Sequence, residues 1–261
     1  MATPVASAAL VGPAAFAADK GVGAAAGTDA LDAADQRMAT DLETRVLDQR
    51  LGSNVSGVVL DADSDTAIWN HNAATALMPA SNAKLATPTA ALTVLVPRHR
   101  FTTKVVYGNG TPTLVGGGDR TLTTADLADL AKTVVAGLEA AGPTTVKVAV
   151  DGSLFPEPTL AHGWNDGYYP DTISPVRALV VDGPRVQDTS IDAGQVFAEQ
   201  LAANGVAVTG EVTRATASRR DVPVARHRSA PLSDVVHTML KHSDNNIAET
   251  RRVLRQLFVE R

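Results

Sequence analysis

A serine and a lysine three positions apart are the first residues of this sequence that could do covalent chemistry. Ser81 and Lys84 follow Pro79. Proline is favoured in the first turn of a helix, so Ser81 is expected near a helix N-terminus, where free N–H groups stabilise developing negative charge. At spacing i and i+3 the two side chains share one helix face. An amine can activate a serine hydroxyl for attack on a carbonyl when burial or a neighbouring cation lowers the amine's pKa.

A second polar motif lies far along the chain, at Ser243-Asp244-Asn245. Neither motif is specific by itself. With 12 serines, six lysines and nine asparagines, S-x-x-K is expected about 0.3 times by chance and S-x-N about 0.4 times. Taken separately, the first motif is equally consistent with a helix N-terminal serine beside an exposed lysine. The second is equally consistent with an ordinary polar turn between helices.

The hydrophobic pattern predicts the elements that must position these residues. Helices are expected at 31–51, 79–96 and 124–141, with two more capped by Ser190 and Ser233 and a last one from about 247 to the end. Strands are expected at 55–60 and 66–69 (a hairpin), 101–107, 146–150 and 206–213. Residues 151–189 indicate a long loop and 214–228 a polar, Arg-rich connection. Hairpins and helices mix without βαβ alternation, so the predicted fold class is α+β.

Pro88 interrupts the helical pattern that begins at Pro79. In a continuous helix its ring would oppose the carbonyl of Lys84 and remove a hydrogen bond, at a cost of about 3 kcal/mol. The sequence therefore predicts a kink just beyond Ser81 and Lys84.

Composition excludes several classes of function. The 261 residues carry a net charge of −5 and only three Tyr, five Phe and two Trp, which argues against a nucleic-acid partner. The absence of cysteine excludes disulfides, thiolate catalysis and Cys-ligated metals. The six histidines have no metal-ligand spacing, so no metal and no cofactor are expected. No G-x-S-x-G elbow and no phosphate-binding glycine loop occur.

The sequence predicts that residues 1–30 form a signal-peptide-like or disordered lead. An apolar run ends in Ala15-Phe16-Ala17, which matches an A-x-A cleavage site, although no basic residue precedes it. No other segment reaches the ~18 apolar residues of a membrane-spanning helix. The sequence therefore predicts an extracytoplasmic protein (secreted, periplasmic or cell-wall associated) with no transmembrane segment.

The two motifs in their context resemble the D-alanyl-D-alanine carboxypeptidase/endopeptidase family of class C low-molecular-mass penicillin-binding proteins, peptidase family S13. The first motif extends over 79–85 and the second over 240–249. Six further landmarks lie between them in the family's order: 100–105, 114–119 with Leu122 after it, 151–155, 163–164, 195–198 and 230–233. The resemblance covers residues ~40–250, and motifs and landmarks in one order are far more specific than either motif alone.

The resemblance implies an incomplete penicillin-binding-protein/β-lactamase-like transpeptidase fold with an inserted domain. Residues 31–100 together with 227–261 would form the catalytic half, and residues 101–226 the insertion. In the family mechanism Ser81 would attack the penultimate D-Ala carbonyl, with Lys84 as its base. Ser243 would pass the proton to the leaving D-Ala, and Asn245 would hydrogen-bond the substrate peptide and Lys84. The implied partners are peptidoglycan stem peptides, with β-lactams as covalent inhibitors of the same serine.

The sequence departs from the family pattern in its third motif, a K-T-G on a later strand. The only Lys-Thr pair, Lys132-Thr133, is followed by Val134 within a predicted helix, and the sequence ends 16 residues after Asn245. The missing strand would supply one of two oxyanion N–H donors, and losing one such donor costs roughly 10²–10³ in rate. We therefore expect an apparently C-terminally truncated and impaired enzyme, or alternatively a non-catalytic fragment or binding remnant.

Overall fold

The computed structural model describes residues 31–142, 145–155, 157, 159–161, 163–183 and 185–249. The expected lead at 1–30 and the helical pattern beyond Glu249 lie outside the described residues. The chain divides into two compact units that meet in the sequence between Pro79 and Ala80. Ser81, Lys84, Ser243 and Asn245 all belong to the second unit. The assignment of 101–226 as an inserted domain stays a prediction.

The first unit contains one helix and the expected hairpin. Its elements are α1 (Ala33–Arg45), β1 (Gly57–Leu60) and β2 (Ala67–His71), with β1 antiparallel to β2. The hairpin prediction is confirmed, and Asp61 closes its turn by accepting the N–H of Ser64 over 2.7 Å. The helix ends six residues earlier than expected. Asp48 accepts the N–H of Arg50 and starts a separate 3₁₀ turn, because short polar side chains compete with helical hydrogen bonding.

The second unit is built around a mixed five-stranded sheet. Its strands are β3 (Thr102–Gly108), β4 (Thr111–Val115), β6 (Ala149–Asp151), β8 (Thr213–Arg214) and β9 (Val222–Arg228), in the order β8-β6-β4-β3-β9. A separate parallel pair joins β5 (Thr145–Val146) to β7 (Ala207–Val208). Two helices, α3 (Thr124–Ala141) and α4 (Thr189–Ala203), pack against the sheet.

The mixed helix-and-sheet class is confirmed, but one argument for it was wrong. β4, β6 and β8 are mutually parallel neighbours, and α3 and α4 connect them in two βαβ crossovers. The parallel strands have only two to five residues, too few for alternation to reveal them in a sequence. The core they enclose is apolar and fully buried, with Leu114, Leu127, Val150, Phe197 and Leu201 at its centre.

Several local predictions need correction. Residues 222–228 are not a polar connection but the edge strand β9, paired with β3, and an edge strand tolerates charged side chains because one side faces solvent. The strand expected at 206–213 splits into β7 and β8 around Gly210, which has φ +72°. Asp188 rather than Ser190 caps α4, by accepting the N–H of Ile191.

Three further helices carry the residues singled out above. They are α2 (Ala86–Leu95), α5 (Leu232–His242) and α6 (Asn245–Ala248). A 3₁₀ helix, Ala80–Leu85, precedes α2 directly. Pro231 rather than Ser233 occupies the cap position of α5. No helix of the described ranges has the length and apolarity needed to cross a bilayer.

The predicted kink at Pro88 takes the form of a change in helix type. The 3₁₀ helix becomes α-helical between Leu85 and Ala86, which makes Pro88 the third residue of α2. The first N–H groups of an α-helix have no partner within that helix, so a proline there costs no hydrogen bond. The α-helical register therefore begins only beyond Lys84.

Candidate active site

Ser81 and Lys84 lie on the 3₁₀ helix at the start of the second unit. Lys84 Nζ donates a hydrogen bond to Ser81 Oγ over 3.3 Å. A 3₁₀ helix has three residues per turn, so side chains at i and i+3 are eclipsed rather than merely on one face. Ser81 is exposed and Lys84 is half-buried. Ala80, immediately before Ser81, has φ +45°, a left-handed conformation that a non-glycine residue seldom adopts.

Ser243 ends α5 in a left-handed conformation and reaches the same hydroxyl. Its φ is +51°, its N–H donates to the Met239 carbonyl, and its Oγ donates to Ser81 Oγ over 3.1 Å. The acceptor Ser81 therefore has an amine and a second hydroxyl within hydrogen-bond distance. A hydroxyl can accept a proton, and a lysine amine can do so when it is uncharged. That arrangement is suited to nucleophilic attack by a serine.

Helix packing explains why residues so distant in sequence meet. Leu232 N donates to His99 O over 2.8 Å, which fixes the start of α5 beside the end of α2. Both helices are about 15 Å long at 1.5 Å per residue, and Ala91, Leu95 and Leu232 share one buried cluster. Because α5 runs back along α2 and the two helices have similar lengths, the end of α5 lies near the beginning of α2. Ser243 is thereby placed opposite Ser81.

The corner between α5 and α6 holds Ser243 in its left-handed conformation. Asp244 N donates to Met239 O over 3.0 Å, and Asp244 Oδ1 caps α6 by accepting the N–H of Ile247 over 2.9 Å. A buried cluster of Val235, Met239, Ile247 and Ala248 joins the two helices. Strained conformations at functional positions persist when the surrounding packing fixes them from several sides.

Asn245 is the first residue of α6 and is half-buried. Among the described residues its side chain has no hydrogen bond to Lys84 or to any other group. The structure therefore unites three of the four residues predicted from the sequence and leaves Asn245 beside them. Its contact with substrate and with Lys84 stays a prediction.

Sequence reasoning missed Arg120 and Asn246. Arg120 Nη2 donates to Asn246 Oδ1 over 3.1 Å, and Arg120 Nη1 donates to Pro175 O over 3.3 Å. The same Asn246 oxygen accepts the N–H of Ser174 over 2.8 Å. Burial lowers the pKa of Arg120 to about 10, and the carboxylates of Asp244 and Glu249 oppose that shift. An arginine after a glycine turn is not a recognisable motif, so the sequence did not indicate that Arg120 would be buried against Asn246.

Ser81 and Ser243 are exposed, whereas Lys84 is half-buried. A cavity of about 390 Å³ is lined by Asp151, Arg177 and Arg214 among others, and by none of Ser81, Lys84 and Ser243. Within the described ranges, no group of three histidine or carboxylate side chains converges as a metal ligand set. Among the described residues, the side chains in contact with Ser81 Oγ are the amine of Lys84 and the hydroxyl of Ser243.

Comparison with known proteins gives a consistent result. The model of the D-Ala-D-Ala carboxypeptidase 3 (S13) family matches residues 38–185 and 183–260. Carboxypeptidase DacB of Mycolicibacterium smegmatis is 32% identical over 242 residues, covering 82% of this chain and 50% of that protein. A D-alanyl-D-alanine carboxypeptidase of an Actinomadura species is 27% identical over 313 residues, covering 85% of this chain and 57% of that protein. The chain thus spans about half the length of the curated relatives it matches.

A similar fold is present in the crystal structure of penicillin binding protein 4 from Haemophilus influenzae. The TM-score is 0.66 at 20% sequence identity, and the match covers 85% of this chain and 66% of that one. At this identity the match shows a shared fold alone.

Proposed function

This chain belongs to the D-Ala-D-Ala carboxypeptidase (S13) family, and from that premise we propose that it is a serine-type D-Ala-D-Ala carboxypeptidase or endopeptidase. Its substrates would be peptidoglycan stem peptides, cleaved through an acyl-enzyme. The observation that carries the proposal is the position of Ser81 Oγ, within 3.3 Å of Lys84 Nζ and 3.1 Å of Ser243 Oγ. Nucleophile, base and proton carrier are the three parts that such a reaction needs.

In the acylation step, Ser81 Oγ attacks the carbonyl carbon of the penultimate D-Ala. Lys84 in its uncharged form accepts the hydroxyl proton as the O–C bond forms. Ser243 Oγ, in contact with Ser81 Oγ, passes its proton to the amide nitrogen of the terminal residue, and the C–N bond breaks. Ser243 then takes up the proton held by Lys84, so both side chains return to their uncharged forms. The products are free D-Ala and an ester on Ser81. General acid–base assistance of this kind contributes typically 10²–10⁴-fold in rate.

In the deacylation step, water attacks the ester carbonyl carbon. Lys84 accepts one proton of that water, and Ser243 Oγ gives its proton to Ser81 Oγ as the ester C–O bond breaks. Lys84 then returns its proton to Ser243. The serine is regenerated and the shortened peptide leaves. A β-lactam would acylate Ser81 by the same first step, with opening of its ring amide. Asn245 would hydrogen-bond the peptide backbone of either ligand.

The sequence lacks the K-T-G that would complete the site. One oxyanion donor fewer costs roughly 10²–10³ in rate, so slow acylation is expected of these 261 residues. The second candidate function is a binding-only role, in which the chain binds wall peptides without cleaving them. The Ser81 hydroxyl is exposed and already in contact with an amine. This observation favours catalysis over binding without cleavage.

Labelling with a fluorescent penicillin tests the proposal. We expect covalent labelling of the wild-type chain and none of Ser81→Ala. The matched control is Ser153→Ala, which removes an exposed serine hydroxyl in the turn after β6 and should label as wild type does. Equal labelling of Ser81→Ala and wild type contradicts the assignment of Ser81. A folded wild-type chain that never labels supports the binding-only role.

We further propose that the protein works outside the cytoplasm, because its proposed substrate is a cell-wall polymer. Cell fractionation followed by immunodetection tests this location. Recovery in the cytoplasmic fraction alone would contradict it.

A further inference from the structure

The buried guanidinium of Arg120 links two parts of the second unit that are far apart in sequence. Arg120 follows the glycine turn after β4, and its partner Asn246 lies 126 positions later, in the first turn of α6. Its other hydrogen bond, to Pro175 O, adds a third segment. Ser174 N, in that third segment, donates to Asn246 Oδ1 as well. A carbonyl oxygen has two lone pairs, so both acceptor sites of this amide oxygen are used.

The charge of Arg120 makes this link costly to disturb. An arginine remains protonated at neutral pH, and a buried cation is stable only with partners. The carboxylates of Asp244 and Glu249 supply favourable charge, and both flank α6. Arg120 Nε is itself buried without a hydrogen-bond partner in the described part of the chain. The guanidinium therefore depends on its two Nη contacts and on the two carboxylates beside α6.

The position of α6 determines the position of Ser243. Only Asp244 separates Ser243 from α6, and Asp244 is the cap of that helix. A shift of the first turn of α6 would therefore pull Asp244 and move Ser243 Oγ away from Ser81. A 1 Å misplacement of a reacting group can cost about 100-fold in rate.

We propose that Arg120 is a positioning residue, which holds Ser243 within hydrogen-bond reach of Ser81 by fixing Asn246 and the first turn of α6. Its consequence for catalysis rests on the proposed function, but the positional effect does not. The two can therefore be tested separately.

A disulfide reporter tests the positional effect without any activity. The chain contains no cysteine, so the double variant S81C with S243C carries only two thiols, at positions whose oxygens are 3.1 Å apart. Disulfides form at Cβ–Cβ separations of about 3.5–4.5 Å. We measure the rate of disulfide formation with diamide by quenching with a thiol-alkylating reagent. Adding Arg120→Met or Asn246→Ala should slow it roughly fivefold or more, and the two changes together should be less than additive.

Two further variants of the S81C/S243C reporter distinguish loss of positioning from general destabilisation of the fold. Asn246→Asp keeps an oxygen for both donors and should restore a rate close to that of the reporter alone. Arg177→Met removes another arginine, 16% exposed in its side chain and paired with Glu157 over 3.0 Å, and should leave the rate unchanged. Oxidation at the reporter's own rate with Arg120→Met, or equal slowing with Arg177→Met, overturns the proposal. If Arg120→Met fails to fold, Asn246→Ala decides in its place.

The catalytic consequence is tested on the cysteine-free chain by penicillin acylation rates. Arg120→Met should slow acylation in the wild-type background and have little further effect in a Ser243→Ala background, because it acts through Ser243. An equal further loss in both backgrounds shows a general structural role and overturns the proposal. Should the wild-type chain not label at all, the proposed function fails, while the disulfide rates still decide whether Arg120 positions Ser243.

Discussion

Ser243 Oγ donates a hydrogen bond to Ser81 Oγ over 3.1 Å, across 162 positions of sequence. The contact depends on α2 and α5, which run side by side and bring a helix end back to a helix start. Lys84 Nζ contacts the same oxygen from only three positions along the chain, one 3₁₀ turn away. A local pair and a long-range partner thus converge on a single hydroxyl.

Replacing the amine of Lys84 by a guanidinium should slow acylation strongly and leave the fold intact. Lys84→Arg keeps the positive charge, but a guanidinium cannot accept the Ser81 proton because arginine stays protonated. We expect the penicillin acylation rate to fall by about 10²–10⁴-fold. Lys104→Arg, on the exposed face of β3, is the matched control and should acylate normally. Normal acylation by Lys84→Arg would remove Lys84 from the role of base.

Two substitutions of Ser243 should separate its hydroxyl from its backbone conformation. Ser243→Ala and Ser243→Gly both remove the proton carrier, so both should slow acylation to a similar extent. At φ +51° glycine is free of the Cβ strain that alanine keeps, so Ser243→Gly should be more stable than Ser243→Ala by about 1 kcal/mol. Urea unfolding measures the difference. A glycine variant less stable than the alanine variant would contradict the left-handed conformation.

Gly117 should be among the least replaceable residues near Arg120. A Cβ at this position would overlap the backbone carbonyl oxygen of Thr102, so Gly117→Ala must displace β3. We expect a loss of about 3 kcal/mol or more in the free energy of unfolding. Gly137→Ala, inside α3 with no atom near the added methyl, should instead gain up to about 1 kcal/mol. Similar values for the two variants would argue against the close approach at Gly117.

Stability should fall with rising pH through the titration of Asp119. Burial raises the pKa of this carboxyl, while hydrogen bonds from Thr121 and the nearby His227 oppose the shift. The folded state then holds the proton more tightly than the unfolded state, so the contribution is full below the ordinary value of 3.8 and is lost as pH rises through the folded pKa.

Asp119→Asn should remove this pH dependence. Measured by urea unfolding between pH 4 and neutral, the stability of the variant relative to wild type should increase with pH. Asp129→Asn, which removes an exposed carboxylate of α3, serves as the control. A constant difference between Asp119→Asn and wild type across that range would show that burial of the charge costs nothing.

Local sequence signals were sufficient for the elements that are long or have clear ends. The helix at 124–141 was predicted to the residue, because Thr123 and Asp126 form a capping box at its start and Gly142 ends it at φ +91°. The hairpin around Asp61 and the strand from Thr102 were located in the same way. Capping and turn chemistry act within a few residues, which is why a sequence displays them directly.

Local sequence patterns did not predict the strands correctly where pairing with a distant strand determines the strand boundaries. The strands expected at 146–150 and 206–213 each divide in two, into β5 and β6 and into β7 and β8. This division follows from hydrogen bonds to neighbours distant in sequence. β9 carries the charged side chains of an edge strand and therefore resembled a linker. In each case the information lies in the partner strand rather than in the segment itself.

The sequence by itself determined the family, the mixed fold class and the pairing of Ser81 with Lys84, because a motif and an i, i+3 spacing are properties of neighbouring residues. The resemblance also predicted a role for Ser243, but only the tertiary structure shows its Oγ 3.1 Å from Ser81 Oγ and Arg120 hydrogen-bonded to Asn246 in the first turn of α6. These contacts depend on the packing of α2, α5 and α6 around Leu95, Leu232 and Met239. No short segment encodes such an approach, since it is set by the sum of many apolar contacts across the whole unit.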